Sequence, residues 1–138
     1  AGELATELRA ERILGDGPPG TGCPVIASVS GSDLVLIVTE PTVSGVHDME
    51  RGLDLSKHFG VPALVIINKA DLNTEQAARI DEIAEQQNSR VIARIPFDRA
   101  VNDALMAGKT VVQYRESAAA EAVRRAWEEV QAALTNIR

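Results

Sequence analysis

The chain has 138 residues, of which 45% are apolar and 25% are charged, and this composition supports one folded domain with an apolar core. Aromatic residues make up only 3%, and the net charge of −6 argues against a nucleic-acid-binding or anionic membrane surface. The single cysteine, Cys23, excludes an internal disulfide and, by itself, a structural zinc or iron–sulfur site. The apolar runs are too short to span a membrane, so we expect a cytoplasmic protein with no integral membrane segment.

The predicted elements alternate between strands and helices along the chain. In chain order they are a weak lead-in helix at 3–11, strands at 12–15 and 34–38, a helix at 43–59, a strand at 63–67, a helix at 74–87, a strand at 91–95, and helices at 98–107 and 116–137. The strands are largely uninterrupted apolar runs, which are typical of a parallel sheet that is covered on both faces. We therefore predict one α/β domain over residues 1–138, an open parallel sheet with helices on both faces.

Apolar residues at helical spacing predict which helix faces are buried. The three stripes are Val46, Met49, Leu53 and Leu55; Ala77, Ile80, Ile83 and Ala84; and Val123, Trp127, Val130 and Leu134. Thr74 is the expected N-cap of the second of these helices, and Asp98 is the expected cap of the helix at 98–107. We interpret all three stripes as core, and Cys23 as a small buried or half-buried thiol.

The first predicted strand ends in the glycine- and proline-rich segment Asp16–Pro24 (DGPPGTGCP). In open parallel sheets, ligands bind just past the carboxyl ends of the strands. An aspartate at this position is suited to hold Mg²⁺, and backbone N–H groups at Gly17 and Gly20 are suited to face a terminal phosphate. The alternative interpretation is a plain strand-to-helix turn in which Asp16 caps a helix.

The third predicted strand ends in Asn68-Lys69-Ala70-Asp71, an N-K-x-D pattern that is typical of purine-base recognition. Asn68 is suited to hydrogen-bond the base edge, and the Asp71 carboxylate suits the two N–H donors of guanine. The alternative is an Asx turn that caps the following helix. A fragment of a GTPase is therefore a second interpretation, although the segment from Asp16 to Gly20 has the pattern D-x-x-x-G where a GTPase switch has D-x-x-G.

No phosphate-cradling loop accompanies these two motifs in the sequence. Gly108-Lys109-Thr110 matches the end of the pattern G-x-x-x-x-G-K-[ST]. The pattern requires a glycine at position 103, where this chain has Asp103, and the tripeptide follows a predicted helix instead of a strand. Since the chain also begins at Ala1 rather than Met, we expect a piece of a longer protein whose P-loop lies upstream. The missing P-loop strand would leave an unpaired edge beside Asp16, which we expect to self-associate or to be covered by residues 1–11.

The segment from Asp16 to Ser28 resembles the Walker B and switch II region of the MinD/ParA/Mrp/nitrogenase-iron-protein superfamily, P-loop ATPases with a deviant Walker A motif. The segments that resemble its branch with an inserted ferredoxin domain, which carries two [4Fe–4S] clusters, are 39–48, 67–73, 95–98 and 107–112. The resemblance covers about residues 11–115. It implies that the chain is the C-terminal half of a P-loop NTPase-like, MinD-type domain without its P-loop unit.

The resemblance also implies roles for individual residues. Asp16 would serve Mg²⁺ and the attacking water, and Gly20 would sense the γ-phosphate. Asn68 would bind adenine, in spite of the guanine-type pattern around it. Pro96 and Asp98 would line the base from the next loop.

The same resemblance implies a function for the whole parent protein. The parent would bind ATP and Mg²⁺, form a nucleotide-sandwich homodimer with segment 39–48 near the partner subunit, and handle iron–sulfur clusters or electrons with a further partner. Arg12 stands where the family commonly has an acidic residue that helps hold the metal. The fragment, lacking the P-loop, is expected to bind no cofactor tightly and to hydrolyse no ATP. A non-catalytic interaction module is the remaining alternative.

Overall fold

A computed structural model describes residues 11–18 and 22–137 of the chain. Within them, three strands form one parallel sheet in the order β1 (Val35–Thr39), β2 (Ala63–Asn68) and β3 (Val91–Ile95). β1 pairs with β2 in unbroken register, and the pairing of β2 with β3 shifts between Val65 and Ile66. The predicted open parallel sheet is confirmed.

Six helices accompany the sheet in the part of the chain that the structure describes. They are α1 (Cys23–Ser30), α2 (Val43–His58), α3 (Thr74–Gln86), α4 (Arg99–Met106), α5 (Val111–Tyr114) and α6 (Ala118–Ile137). The four predicted helices at 43–59, 74–87, 98–107 and 116–137 agree with α2, α3, α4 and α6 within two residues. The N-cap of α3 is Asn73 and not Thr74, because the Asn73 side chain accepts a hydrogen bond from the Gln76 N–H.

The sequence does not predict α1 and α5, and a local feature of each helix explains why. The N-cap of α1, Gly22, offers no side-chain cap, and the β-branched residues of α1 are weak helix formers. α5 is only four residues long and depends on a capping box between Thr110 and Gln113.

Segment 11–18 forms neither a strand nor a helix, and every residue in it is exposed. The prediction of a strand at 12–15 is therefore wrong. A parallel strand needs a neighbour for its backbone groups, and no described strand lies beside Ile13 and Leu14. Among the described strands, β1 and β3 form the two edges of the sheet, so no edge strand lies beside Asp16. The predicted lead-in helix at 3–11 falls outside the described residues except for Glu11.

The main core lies between the sheet and the helices α2 and α3. Its buried members are Val46, Met49, Leu53, Val65, Ile67, Ala77, Ile80 and Ala84. The predicted stripes of α2 and α3 are thus confirmed except at Leu55, which is half-buried and lies outside this core, and at Ile83, which is half-buried and packs against it. Leu64 and Ile66, which alternate with Val65 and Ile67, are buried on the opposite face, and α6 packs against β3. Helices therefore lie on both faces of the sheet.

α6 packs through small side chains. Its buried residues are Ala119, Ala120, Ala126 and Val130. Trp127 is 43% exposed, so the prediction that it belongs to the core is wrong. Alanines let the helix lie close to β3, and the larger indole stays at the margin of the contact. No helix among the described residues is long and apolar enough to cross a membrane.

Candidate functional site

The loops that follow β2 and β3 are joined at the carboxyl edge of the sheet. The backbone N–H of Ala70 donates to the carbonyl oxygen of Ile95 at 3.0 Å, and the backbone N–H of Phe97 donates to Asp71 Oδ1 at 2.7 Å. These bonds bring the Asn68–Asp71 loop and the Pro96–Asp98 loop together, as the parallel sheet predicts.

Asn68, at the end of β2, is partly buried and fixes the start of its loop. Its Oδ1 accepts a hydrogen bond from the backbone N–H of Lys69 at 3.1 Å. Lys69 has φ of 52°, in the left-handed region that non-glycine residues seldom adopt. With Oδ1 engaged in this turn, the amide nitrogen of Asn68 is the group left to offer a hydrogen bond to a ligand.

Lys69 reaches across the sheet edge to the end of β1. Its Nζ lies 2.8 Å from Glu40 Oε1, and both side chains are about two-fifths exposed. The ion pair joins a second strand end to the same edge, and the sequence analysis missed Glu40 as a member of this cluster. The signal for it is the position of Glu40 directly after β1, level with Asn68 after β2.

A tight turn at the start of α2 holds Glu40 in place. The buried Thr39 hydroxyl donates to the Gly45 carbonyl oxygen at 2.8 Å, and the Gly45 N–H donates to the N-cap Thr42 hydroxyl at 3.0 Å. A Cβ atom at Gly45 would lie 2.2 Å from the Glu40 carbonyl oxygen, so only glycine fits this approach.

Asp71 has one carboxylate oxygen committed to the protein. Because Oδ1 accepts the Phe97 N–H, the side chain acts as a link between two loops. This link gives Asp71 a structural role beside the base-recognition role that the N-K-x-D pattern predicts.

Asp98 caps two helices at once. Its Oδ1 accepts the Ala100 N–H of α4 at 2.8 Å, and its Oδ2 accepts the Ala119 N–H of α6 at 3.2 Å. The bond from Ala100, followed by that from Ala119, holds the pKa of Asp98 below its ordinary value. The predicted cap of α4 is confirmed. Pro96 lies two residues earlier and lines a shallow cleft between β3 and α6 together with Arg94 and Glu121.

Asp16 lies apart from this cluster. It is exposed, in a segment without regular structure, and the structure shows no hydrogen bond or ion pair from it to another described residue. Gly20 lies outside the described residues. Cys23 is exposed at the first position of α1, so the prediction of a buried or half-buried thiol is wrong.

The described residues do not by themselves form a metal centre. Within 11–18 and 22–137, no group of three or more His, Cys, Asp or Glu side chains could hold a metal ion. Mg²⁺ takes an octahedral set of oxygens and often uses one or two carboxylates beside phosphates and water. Asp16 alone therefore fits Mg²⁺ only as a single ligand within a larger site.

Comparison with known proteins places the chain in a family. Residues 9–131 match the ParA family, described as NUBPL iron-transfer P-loop NTPase. The chain belongs to the ParA family. One relative, the uncharacterized protein MJ0578 of Methanocaldococcus jannaschii, is 32% identical over 127 residues, which are 92% of this chain and 42% of the relative. The iron-sulfur cluster carrier protein of Pyrococcus abyssi is 26% identical over 121 residues, 78% of this chain and 40% of the relative. The chain thus spans less than half the length of these relatives.

Solved structures agree with the ParA assignment at the level of fold. The MinD cell division protein of Aquifex aeolicus has a TM-score of 0.78 at 23% identity, with 95% of this chain covering 57% of that chain. The septum site-determining protein MinD of Pyrococcus horikoshii, solved with Mg-ADP, has a TM-score of 0.78 at 22% identity, with 99% of this chain covering 57% of that chain. The ParA-family chain therefore has a MinD-type fold.

Proposed function

We propose that the chain is the C-terminal part of a MinD-like ATPase domain and supplies the base-binding side of its nucleotide site. The observation that carries this proposal is the joining of the Asn68–Asp71 and Pro96–Asp98 loops at the carboxyl edge of a parallel sheet. Membership of the ParA family and the MinD-type fold support it.

Adenine is the base in this proposal, as the resemblance to MinD-type ATPases implies. The Asn68 amide donates to a ring nitrogen, while Pro96 and Asp98 line the base from the neighbouring loop. Asp71 fixes the distance between the loops through Phe97 and contributes to the base site by position. Since the Asp98 carboxylate already accepts hydrogen bonds from the N-termini of two helices, its loop is organised before a ligand arrives.

The phosphate side of the site depends on residues that this chain does not contain. Asp16 would serve as one Mg²⁺ ligand, and Gly20 would contact the γ-phosphate, once a P-loop unit completes the domain. The 138-residue chain alone has no P-loop lysine to stabilise the transferred phosphoryl group, so it hydrolyses no ATP and binds no cofactor tightly.

The parent protein couples ATP binding, hydrolysis and homodimerisation to iron–sulfur cluster or electron handling in the cytoplasm. Support comes from the iron-transfer description of the family and from the iron-sulfur cluster carrier relatives of Pyrococcus. An inserted ferredoxin domain with two [4Fe–4S] clusters and an iron–sulfur or electron-transfer partner belong to this proposal. The net charge of −6 argues against nucleic acid as a partner.

Nucleotide binding by the complete open reading frame tests the proposal. We expect the complete protein to prefer ATP over GTP, and Asn68→Ala to weaken ATP binding about tenfold, the loss of one well-placed hydrogen bond. The matched control is Asn102→Ala, an exposed amide on α4, which leaves affinity unchanged. A preference for GTP, or robust Mg-ATP turnover by the 138-residue chain alone, would contradict the proposal.

A further inference from the structure

The ion pair between Lys69 and Glu40 connects the Asn68–Asp71 loop to the neighbouring strand. Lys69 Nζ lies 2.8 Å from Glu40 Oε1, and the two side chains are 39% and 42% exposed. β1 and β2 pair in unbroken register, so their carboxyl ends lie side by side. Glu40 directly follows β1 and Lys69 directly follows β2. The pair therefore crosses from the end of one strand to the loop after the next.

The backbone of Glu40 is held in place by the start of α2. Its carbonyl oxygen accepts a hydrogen bond from the Thr42 N–H at 2.8 Å. The preceding residue, Thr39, donates its hydroxyl to the Gly45 carbonyl oxygen at 2.8 Å. Gly45 also approaches the Glu40 carbonyl so closely that a Cβ atom would lie 2.2 Å from it. The Glu40 carboxylate thus extends from a fixed backbone and acts as an anchor for the lysine.

Lys69 connects this anchor to the Asn68 side chain. Its backbone has φ of 52°, and its N–H donates to Asn68 Oδ1 at 3.1 Å. A residue with a Cβ atom stays in the left-handed region only when surrounding contacts hold it there. If Lys69 left that region, its N–H would turn away from Asn68 Oδ1, and the Asn68 amide would lose its orientation.

We propose that Glu40 is a positioning residue for the nucleotide base, which it affects by holding Lys69 and thereby orienting the Asn68 amide. The proposal rests on the proposed function, which assigns Asn68 to the base. Loss of Glu40 weakens the contribution of the base to binding and leaves that of the phosphates unchanged. Because both members of the pair are partly exposed, the effect is about threefold.

Hydrogen exchange in the 138-residue chain tests the positioning step without nucleotide. We expect Glu40→Ala to accelerate exchange of the Lys69 amide about threefold. The Ala70 amide, which donates to β3, changes little. Glu129→Ala is the matched control, because it breaks a 2.9 Å pair with Arg90 of similar exposure between α6 and β3. Unchanged exchange at Lys69 overturns the proposal, and so does equal acceleration at Ala70, since the loop would then loosen as a whole.

Equilibrium binding to the complete protein connects the ion pair to the base. The two ligands are Mg-ATP and Mg-triphosphate, which has the phosphates and no base. We expect Glu40→Ala and Lys69→Met each to weaken ATP binding about threefold and to leave triphosphate binding unchanged. Glu40→Gln, which keeps a hydrogen-bond acceptor for the lysine, loses less, and Glu129→Ala changes neither affinity.

The outcomes separate the role of Glu40 from the proposed function. An equal loss of ATP and triphosphate binding in Glu40→Ala overturns the proposal, because the residue would then act on the fold in general. A wild-type preference for ATP over triphosphate that survives Glu40→Ala undiminished overturns only the role of Glu40. Wild-type protein that binds ATP no more tightly than triphosphate contradicts the proposed function itself.

Discussion

The Asp71 carboxylate accepts a 2.7 Å hydrogen bond from the backbone N–H of Phe97, which lies 26 residues further along the chain. This bond sets the spacing between the loops that follow β2 and β3. A residue whose motif is typical of base recognition thus has an architectural role in this fold.

Removal of the Asp71 carboxylate is expected to loosen the two loops. Asp71→Ala lowers the free energy of unfolding by about 1 kcal/mol, because an exposed, charge-assisted hydrogen bond is lost. Asp71→Asn keeps an acceptor oxygen and loses less. Urea unfolding gives the free energies, and hydrogen exchange at the Phe97 amide reports the loop directly. Asp48→Ala, which breaks an exposed ion pair with Arg51, is the control. An equal decrease in its free energy of unfolding would show that the Asp71 effect comes from the loss of surface charge alone.

The double cap at Asp98 makes stability depend on acid pH. Its folded pKa is lowered from the ordinary 3.8, first by the Ala100 N–H and then by the Ala119 N–H. Ionisation therefore stabilises the fold above the unfolded pKa, and this contribution is lost as the pH falls through the lowered folded pKa. Asp98→Asn turns an amide donor toward one of the two N–H groups, so its Tm is lower at neutral pH.

The diagnostic measurement for Asp98 is Tm against pH. Between about pH 5 and about pH 2, Asp98→Asn loses fewer degrees than the wild type, because the titrating group is gone. Asn102→Ala, which changes an exposed uncharged side chain on α4, is the control. Identical slopes of Tm against pH for Asp98→Asn and the wild type would show that the ionisation of Asp98 does not contribute to the pH dependence of stability.

Gly45 is expected to tolerate no side chain. In Gly45→Ala the new Cβ lies 2.2 Å from the Glu40 carbonyl oxygen and 2.9 Å from Thr39 Oγ1, so the start of α2 has to shift. We expect a loss of about 3 kcal/mol in urea unfolding. Gly31→Ala, whose new Cβ would lie 3.8 Å from the Ala27 carbonyl oxygen, changes stability little. Similar values for the two variants would refute the close approach at α2.

Ser56 carries a buried polar group, and we expect its removal to increase the stability of the fold. Its side chain is 1% exposed, and its hydroxyl has no hydrogen-bond partner in the described structure. Ser56→Ala raises the free energy of unfolding by about 1 kcal/mol, since an unsatisfied polar group is removed from the core. Thr39→Val, which removes a hydroxyl that does donate, lowers it instead. A destabilised Ser56→Ala would reveal a partner for the hydroxyl.

The sequence predicts those parts of the fold that local spacing decides. Val46, Met49 and Leu53 follow helical periodicity, and all three are buried against the sheet. The apolar run at 12–15 does not decide its own structure, because a strand forms only where a neighbouring strand pairs with its backbone N–H and C=O groups. The burial of Trp127 likewise depends on how α6 packs, and the buried residues of α6 are mostly alanines.

The candidate site also has a part that the sequence predicts and a part that it does not. Motif spacing brings Asn68 and Pro96 to one edge, because parallel strands end on the same side. The link from Asp71 to Phe97 and the pair of Lys69 with Glu40 join residues far apart in sequence, and no pattern within one segment indicates them.

The sheet order β1-β2-β3 repeats the order of the strands along the chain. Each of the described strands therefore pairs with the strand that follows it in the sequence, after a single intervening helix. Short loop closures of this kind favour fast, stepwise assembly during synthesis. We expect β1, α2 and β2 to form a first folded unit as they leave the ribosome, with α3 and β3 added next.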